Sequence, residues 1–443
     1  MCGDFYMNNS IWTENVTLPR FDPLQGDLGT DVLIIGGGLA GLLCAHALEE
    51  DGVDYALIEA DRICHGVTRN TTAKITSQHG LVYHRLLRRF GKEKARQYFR
   101  ANEQVLERYA ILAQNMDCGL RWQDNIVYAT DFTDTLVKEL GALDELDIPA
   151  EFVDSVDLPI KTAGGIRFRN QAQFHPLKFA ASIAKDLKIY EQTPAKAFIG
   201  NTVQTDRGTI MAKKIIIATH FPMNNKHGAY FLKMYQSRSY VLALENAQGV
   251  DGMFVDENDK GLSFRNDGDL LLLGGGGHRT GKPGGGWREL EEFAKHHYPH
   301  AKICCRWATQ DCMTLDDLPY IGQYSRRTGD LYVATGFNKW GMTTSMVAAQ
   351  VLRDLVQGRE NPYADLFSPS RSMMRPQLAC NGLEAVKSLL TFTKPRCPHM
   401  GCALHWNPQE HSWDCSCHGS RFTEDGKLLD NPATDNLKDS RSS

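Results

Sequence analysis

Residues 31–60 read DVLIIGGGLAGLLCAHALEEDGVDYALIEA, and no other stretch restricts the fold as tightly. Residues 31–35 are a short β-branched apolar run, the pattern of a buried parallel strand. Gly36, Gly38 and Gly41 place G-x-G-x-x-G at its end. A helical pattern follows to about Glu50, Gly52 closes it, and residues 55–58 form a second strand ending in Glu59. Gly36 permits a tight turn, Gly38 lets the backbone approach a pyrophosphate, and Gly41 lets helix and strand pack closely. The helix N-terminus offers N–H groups and a positive dipole end to phosphates. Leu39 and Ala40 lie within that turn. Glu59, followed by Ala60, sits where a carboxylate can accept hydrogen bonds from both hydroxyls of an adenosine ribose. Strand, glycines, helix, second strand and acid in this order predict dinucleotide binding.

With 443 residues the chain exceeds one ordinary core, so two or three domains are expected. The net charge of -4, from 49 basic and 53 acidic residues, gives no reason to invoke nucleic acid or an anionic membrane. No apolar run reaches the length of a bilayer span. The first residues lack the basic and apolar regions of a secretory signal, so a cytoplasmic location is the expectation. Of twelve cysteines, four crowd into the tail as Cys397, Cys402, Cys415 and Cys417. In a cytosolic chain such crowding favours metal over structural disulfides.

Residues 1 to about 30 are polar and read as an extended lead-in. After Glu59 comes a loop rich in Gly, Thr and Asn, in which Thr68, Arg69, Asn70, Thr71, Thr72 and Lys74 could contact a pyrophosphate. Residues 83–115 and 134–144 carry helical patterns and read as packing. His175 opens another helix beside Pro176. Residues 215–218 are a buried strand ending in Thr219, and the segment before it includes Ala195, whose backbone could contact adenine. The run LLLLGGGGHRTGKPGGG at 270–286 implies a loop that wraps something closely. Arg265 and Arg279 are candidates to grip a substrate carboxylate, because a guanidinium does so bidentately. Residues 287–297 read as an outer helix. Residues 330–356 read as strand, glycine turn and helix, with Thr343 or Thr344 as N-cap.

The chain from about 30 to 367 resembles the FAD-dependent oxidoreductases of the D-amino acid oxidase, glycine oxidase and sarcosine oxidase superfamily. The matching pieces are the opening fingerprint, Glu59, GVTRNTTAK at 66–74, the ATH strand end at 218–220 and TGFNKWGMT at 335–343. The resemblance implies FAD, with Ala73, Gly336, Gly341, Met342 and Thr343 near it and Lys74 over the flavin ring. Lys74, Arg265, Arg279 and His175 are then the candidate catalytic residues. An amine or amino acid is the implied substrate.

The tail carries CPHMGC and, with 15 residues between His399 and its first cysteine, CSCHGS. These resemble the two loops of a Rieske domain, implying a [2Fe-2S] cluster of the Rieske type on Cys397, His399, Cys415 and His418. In the Rieske proteins of cytochrome bc type, the places of Cys402 and Cys417 carry a disulfide and that of Ser420 a hydroxyl bonded to a cluster sulfide. Phe422 stands where higher-potential members have tyrosine, which implies a lower potential here. A structural zinc site also accepts two Cys and two His, but it leaves Cys402, Cys417 and Ser420 without a role.

The expected fold is α/β: a glutathione-reductase-type, Rossmann-like FAD-binding domain (about 30–82, 190–222 and 310–367), an antiparallel-sheet substrate domain (about 118–190 and 227–310), and a small all-β Rieske module at 391–443 beyond a linker at 368–390. The expected function is oxidation of a C–N bond, with electrons passing from FAD through the cluster to a carrier protein. Two alternatives stay open: a reductase fed through the cluster, and a flavoprotein with a redox-sensing or docking tail.

Overall fold

The structure, a computed structural model, describes residues 7–224, 227–258, 260–372, 391 and 395–437. Three sheets organise them. The first runs in spatial order Tyr320–Gln323, Leu331–Thr335, Thr209–Ile217, Leu28–Ile35, Tyr55–Ile58 and Ile189–Tyr190. Its five last-named strands are parallel, with Leu28–Ile35 between Thr209–Ile217 and Tyr55–Ile58. Burial on both faces explains the unbroken apolar run that marked this strand. Val32 and Ile34 enter one core with Leu42 and Leu43 of the helix Leu39–Glu50, whereas Leu33 and Ile35 enter a second core with Phe221 and Cys312. The hairpin Ala195–Ile199 and Thr202–Thr205 hangs off this sheet.

The second sheet runs Lys302–Thr314, Met234–Glu245, Leu270–Arg279, Ser263–Asp267, Met253–Asp256, Arg121–Ala129, Gly164–Gln173 and Lys74–Ile75. It is antiparallel except where Met253–Asp256 pairs with Arg121–Ala129 in parallel, which joins the two segments expected as the substrate domain. Lys302–Thr314 crosses residue 310, where one expected boundary lay. The third sheet is a four-stranded antiparallel meander of Leu404–Asn407, Ser412–Cys415, Arg421–Thr423 and Leu428–Asp430.

The lead-in differs from the extended arm expected. Trp12 is fully buried, and its indole N–H donates to the Thr71 carbonyl oxygen at 2.7 Å. Its ring also meets His175 edge-on and lies under the Arg265 guanidinium. An apolar ring within polar sequence carries little periodic signal, so this strap was invisible to pattern reading. Gly91 kinks the long helix Tyr83–Ala113. No helix among the described residues is long and apolar enough to cross a membrane. The expected linker falls largely outside the described residues.

Candidate active site and metal centre

The strand Leu28–Ile35 delivers the chain to Gly36, whose φ is +111°. A Cβ there would stand 2.7 Å from the Ala218 carbonyl oxygen, and one on Gly41 would fall 1.9 Å from the Gly36 carbonyl oxygen. These two glycines let the helix begin hard against the sheet. The Leu39 N–H donates to the Thr68 hydroxyl at 3.0 Å, so the loop after Glu59 closes onto the fingerprint turn. Glu59 accepts from the Gly37 N–H at 2.6 Å and from the Asp61 N–H at 2.9 Å. Burial pushes its carboxyl above the ordinary range, and those two donors only partly oppose this.

One cavity of about 890 Å³ runs along these groups, a size within the range of ligand and cofactor sites. Gly36, Gly38, Leu39, Ala40, Glu59, Ala60, Thr68, Thr71, Thr72, Lys74, Ala195, Thr219, Gly336, Gly341 and Met342 all line it. Four expected contacts lie behind the wall. Gly41 serves the helix–strand approach. Asn70 gives its carbonyl to the Trp307 indole N–H, and Ala73 gives its own to Arg265. Thr343 donates its hydroxyl to the Thr76 carbonyl at 2.9 Å. The helix Gly341–Val356 starts earlier than expected, with Trp340 as N-cap and no side-chain bond there. Its first turn, Gly341 and Met342, faces the cavity with a positive dipole end. The residues fit a dinucleotide: a turn that a Cβ on Gly36 or Gly41 would fill, a cavity-lining carboxylate at the end of the second strand, and a helix terminus that would suit an anionic ring edge.

Lys74 is buried, and its Nζ donates to the Thr72 hydroxyl at 3.2 Å. Burial, with Arg265 nearby, brings its ammonium down to about 7. The other three catalytic candidates lie elsewhere. Arg265 is 1% exposed and is consumed by the carbonyls of Thr72, Ala73 and Asn266 and by Asp267 at 2.8 Å. It braces the loop that carries Lys74. Arg279 donates to the Ser416 carbonyl at 3.0 Å, on the tail meander, and stacks over Tyr235. His175 caps the helix Pro176–Ala184 by accepting from the Lys178 N–H at 3.2 Å. The cavity's own arginines, Arg62 and Arg85, are held by Glu191 and Asp317. Asp311 was not expected. It faces the cavity from Lys302–Thr314, and burial raises its carboxyl to about 6 against the pull of Lys339 and Arg238. An isolated acid in a strand carries no sequence signal.

The tail brings the four expected metal ligands together. Cys397 and Cys415 are 1% and 0% exposed, and His418 3%. Each ligand loop closes with the same turn: Gly401 N–H to the Cys397 carbonyl, and Gly419 N–H to the Cys415 carbonyl, both at 2.9 Å. The Nδ1 atoms of His399 and His418 converge to 3.3 Å, with their ring planes at 85°. The outer nitrogen of His399, Nε2, is buried without a partner. Two thiols and two converging imidazoles fit a two-iron cluster. Cys402 and Cys417 are not joined by a disulfide here, and their sulfurs and that of Cys415 lie within 4.8 Å of one another. The Ser420 hydroxyl faces the Cys397 sulfur and accepts from the Ala433 N–H at 3.0 Å.

The expected loop at 270–286 is a strand over Leu270–Arg279, because its glycines let neighbouring strands and side chains approach closely, and only the turn after it presses on this module. A Cβ on Gly281 would meet the Ser416 backbone nitrogen at 2.6 Å, and one on Gly286 the Gln409 side chain at 2.3 Å. Gln236 donates to the carbonyl of His418 at 2.7 Å, and Gln310 to that of Gly419 at 2.9 Å. Arg238 grips Glu410 through both nitrogens, and Tyr240 donates to the same carboxylate at 3.0 Å. Residues from Leu428 to Thr434 complete the cavity wall.

The sequence matches the FAD dependent oxidoreductase family, DAO, over residues 31–355, and the Rieske [2Fe-2S] domain over residues 386–441. It is 32% identical to the "Putative Rieske 2Fe-2S iron-sulfur protein YhfW" of Bacillus subtilis (strain 168), over 97% of each chain. It is 24% identical to gamma-glutamylputrescine oxidoreductase of Escherichia coli (strain K12), over 78% of this chain and 88% of that one. Glycine oxidase from Geobacillus kaustophilus shares the fold at a TM-score of 0.66 and 20% identity, covering 78% of this chain and 99% of that one. The fingerprint cradle and the paired ligand loops thus have a common explanation: the chain belongs to the FAD-dependent oxidoreductase family, binds FAD, and carries a C-terminal Rieske domain with its [2Fe-2S] cluster.

Proposed function

We propose that the protein is an amine dehydrogenase that oxidises a C–N bond and sends the electrons through its own cluster to a one-electron acceptor. The observation that carries this reading is the placement of the cluster ligands. His399 and His418 lie edge-on to Phe221, next to Thr219 and His220 on the cavity wall. FAD, when bound, accepts the hydride from the carbon next to the substrate nitrogen. The cluster, when bound, carries one electron at a time.

The chain's own residues supply the rest. Glu59 holds the ribose hydroxyls, and the first turn of Gly341–Val356 stabilises negative charge that develops on the ring edge. Hydride leaves only from a neutral amine, because an ammonium nitrogen has no lone pair to stabilise the forming imine. Lys74, with an ammonium pKa brought down to about 7, is suited to take that proton at its Nζ. Asp311 offers a carboxylate to a cationic substrate. The arginines expected to grip a carboxylate brace the Lys74 loop and the module instead. The site therefore favours an amine, or a diamine with a second ammonium, over an α-amino acid. The imine leaves the site and is hydrolysed by water.

An anaerobic panel of amines, diamines and amino acids tests this on the holoprotein. The expected result is flavin bleaching by amines, followed by the electron paramagnetic resonance (EPR) signal of the reduced cluster. Rapid hydrogen peroxide formation that survives loss of the cluster overturns the dehydrogenase reading. Flavin that bleaches only when a reductant first reduces the cluster makes the enzyme a reductase.

A further inference from the structure

The module's histidine end packs against the rest of the chain, with His399 half-buried. His399 Nε2 is buried without a partner, and His418 is 3% exposed. Both imidazoles meet one ring, Phe221, at centroid distances of 6.4 and 6.5 Å and steep interplanar angles. Phe221 is 0% exposed and follows directly on Thr219 and His220, which line the flavin cavity. One π-system thus meets both histidine ligands and is covalently continuous with the cavity wall.

That ring is held from the module's side. The Asn431 side-chain amide donates to the Thr219 carbonyl at 2.6 Å and to the Phe221 carbonyl at 3.0 Å. One amide group therefore fixes the backbone on both sides of His220. The Gln236 amide in turn donates to the carbonyls of His418, at 2.7 Å, and Asn431, at 3.1 Å. Ligand loop, clamp and cavity wall share one hydrogen-bond network. A Cβ on Gly419 would come within 2.6 Å of Gln236 Cβ, so the ligand loop sits directly on the sheet.

We propose that Phe221 is the bridge across which electrons pass between the flavin cavity and the cluster, that Asn431 is its positioning residue, and that the module makes this exchange while docked. The inference rests on the proposed function and gives its electron route a location. The two electrons that arrive with the substrate hydride cross in two single steps. Each step reduces the cluster by one equivalent, and a one-electron acceptor, ferricyanide in the assay, reoxidises it in between. The proton left by the hydride goes from the cavity to water.

The test uses the full-length holoprotein with both cofactors, as wild type and as Phe221→Leu and Asn431→Ala variants. Laser-flash photoreduction with a deazaflavin delivers electrons to the flavin without a known substrate. The wild type is expected to show a phase, independent of protein concentration, in which flavin absorbance recovers as the cluster is reduced. Both variants should slow that phase, with the cluster's midpoint potential and EPR spectrum unchanged. Asn431→Ala should also lose hydrogen-exchange protection at residues 218–221, beginning with the Ala218 N–H that donates to the Ile35 carbonyl at 2.8 Å, a readout that needs no turnover. A phase as fast in both variants as in the wild type overturns the bridge and leaves the proposed function standing. Slowing in Phe221→Leu alone keeps the bridge and removes the clamp, and slowing in Asn431→Ala alone moves the route away from the ring. Slowing together with a shifted potential assigns the effect to the cluster and overturns the proposal. No intramolecular phase in the wild type refutes the proposed function itself.

Discussion

Replacing Glu410 with Gln is expected to weaken the hold on the Rieske module by about 3 kcal/mol. Glu410 lies between Arg238 of the second sheet and Arg421 of the meander, with each of the three side chains under a tenth exposed. Burial alone would raise its carboxyl, but the two guanidinium groups outweigh it and hold it at about 2. Against an ordinary value of 4.5, that depression corresponds to about 3 kcal/mol at neutral pH. Breaking a buried ion pair by neutralising one partner costs about 3–5 kcal/mol, so two separate lines of reasoning agree. The loss concentrates on Arg238, because Arg421 keeps Asp414 and Asp430, each at 3.0 Å. A depressed carboxylate contributes its stability in full above its unfolded value. The wild type should therefore lose this contribution as pH falls from 4.5 towards 2, and the variant should lack that slope. Denaturant unfolding of the holoprotein, followed by the cluster's visible circular dichroism, measures both. A Glu410→Gln module that unfolds within about 0.5 kcal/mol of wild type, the range of an ordinary surface substitution, would refute the reasoning.

Four further outcomes follow from the site. Asp311→Asn should raise KM for a cationic amine by about ten- to a hundredfold, the worth of about 1.5–3 kcal/mol for a bond to a charged group. Amine affinity in the wild type should fall as pH drops through about 6, and titration of flavin bleaching reads both effects. Lys74→Met should remove the rise in kcat/KM as pH climbs through about 7, because only neutral Lys74 accepts a proton, and should cost about 10²–10⁴-fold in rate. Gly41→Ala should yield protein without flavin but with its cluster, since the new methyl group falls 1.9 Å from the Gly36 carbonyl oxygen; absorbance spectra separate the two cofactors. Phe422→Tyr should raise the cluster potential by adding a hydroxyl donor near the sulfur ligands, as checked by redox titration.

What could be read in advance was local. Gly36 and Gly41 are fixed by sterics within a few residues of themselves, and the two Cys–His loops carry their ligands within six residues each. The fingerprint and the strands at 215–218 and 331–335 follow from such short-range rules, whereas the meander was implied only by the Rieske resemblance. The roles of arginines do not, because a guanidinium is free or spent according to partners far along the chain. Arg265 meets Thr72 across 193 positions, and Arg279 meets Ser416 across 137. The glycine run expected as a loop is a strand over Leu270–Arg279, and only Gly281 and Gly286 beyond it press on the Rieske module, a contact that depends on partners more than a hundred positions away. Trp12 and Asp311 carry no such signal, because one ring in a polar arm, or one acid in a strand, has no periodic context.

The compartment for the flavin is built by parts of the chain that are synthesised far apart. Its floor comes from Gly36 to Thr72, while Leu428 to Thr434 furnish one of its sides. A polypeptide halted before Leu428 would own every glycine of the fingerprint yet leave the prosthetic group open to water on that flank. Retention of flavin is therefore a report on whether the last strand of the meander has been made and has docked.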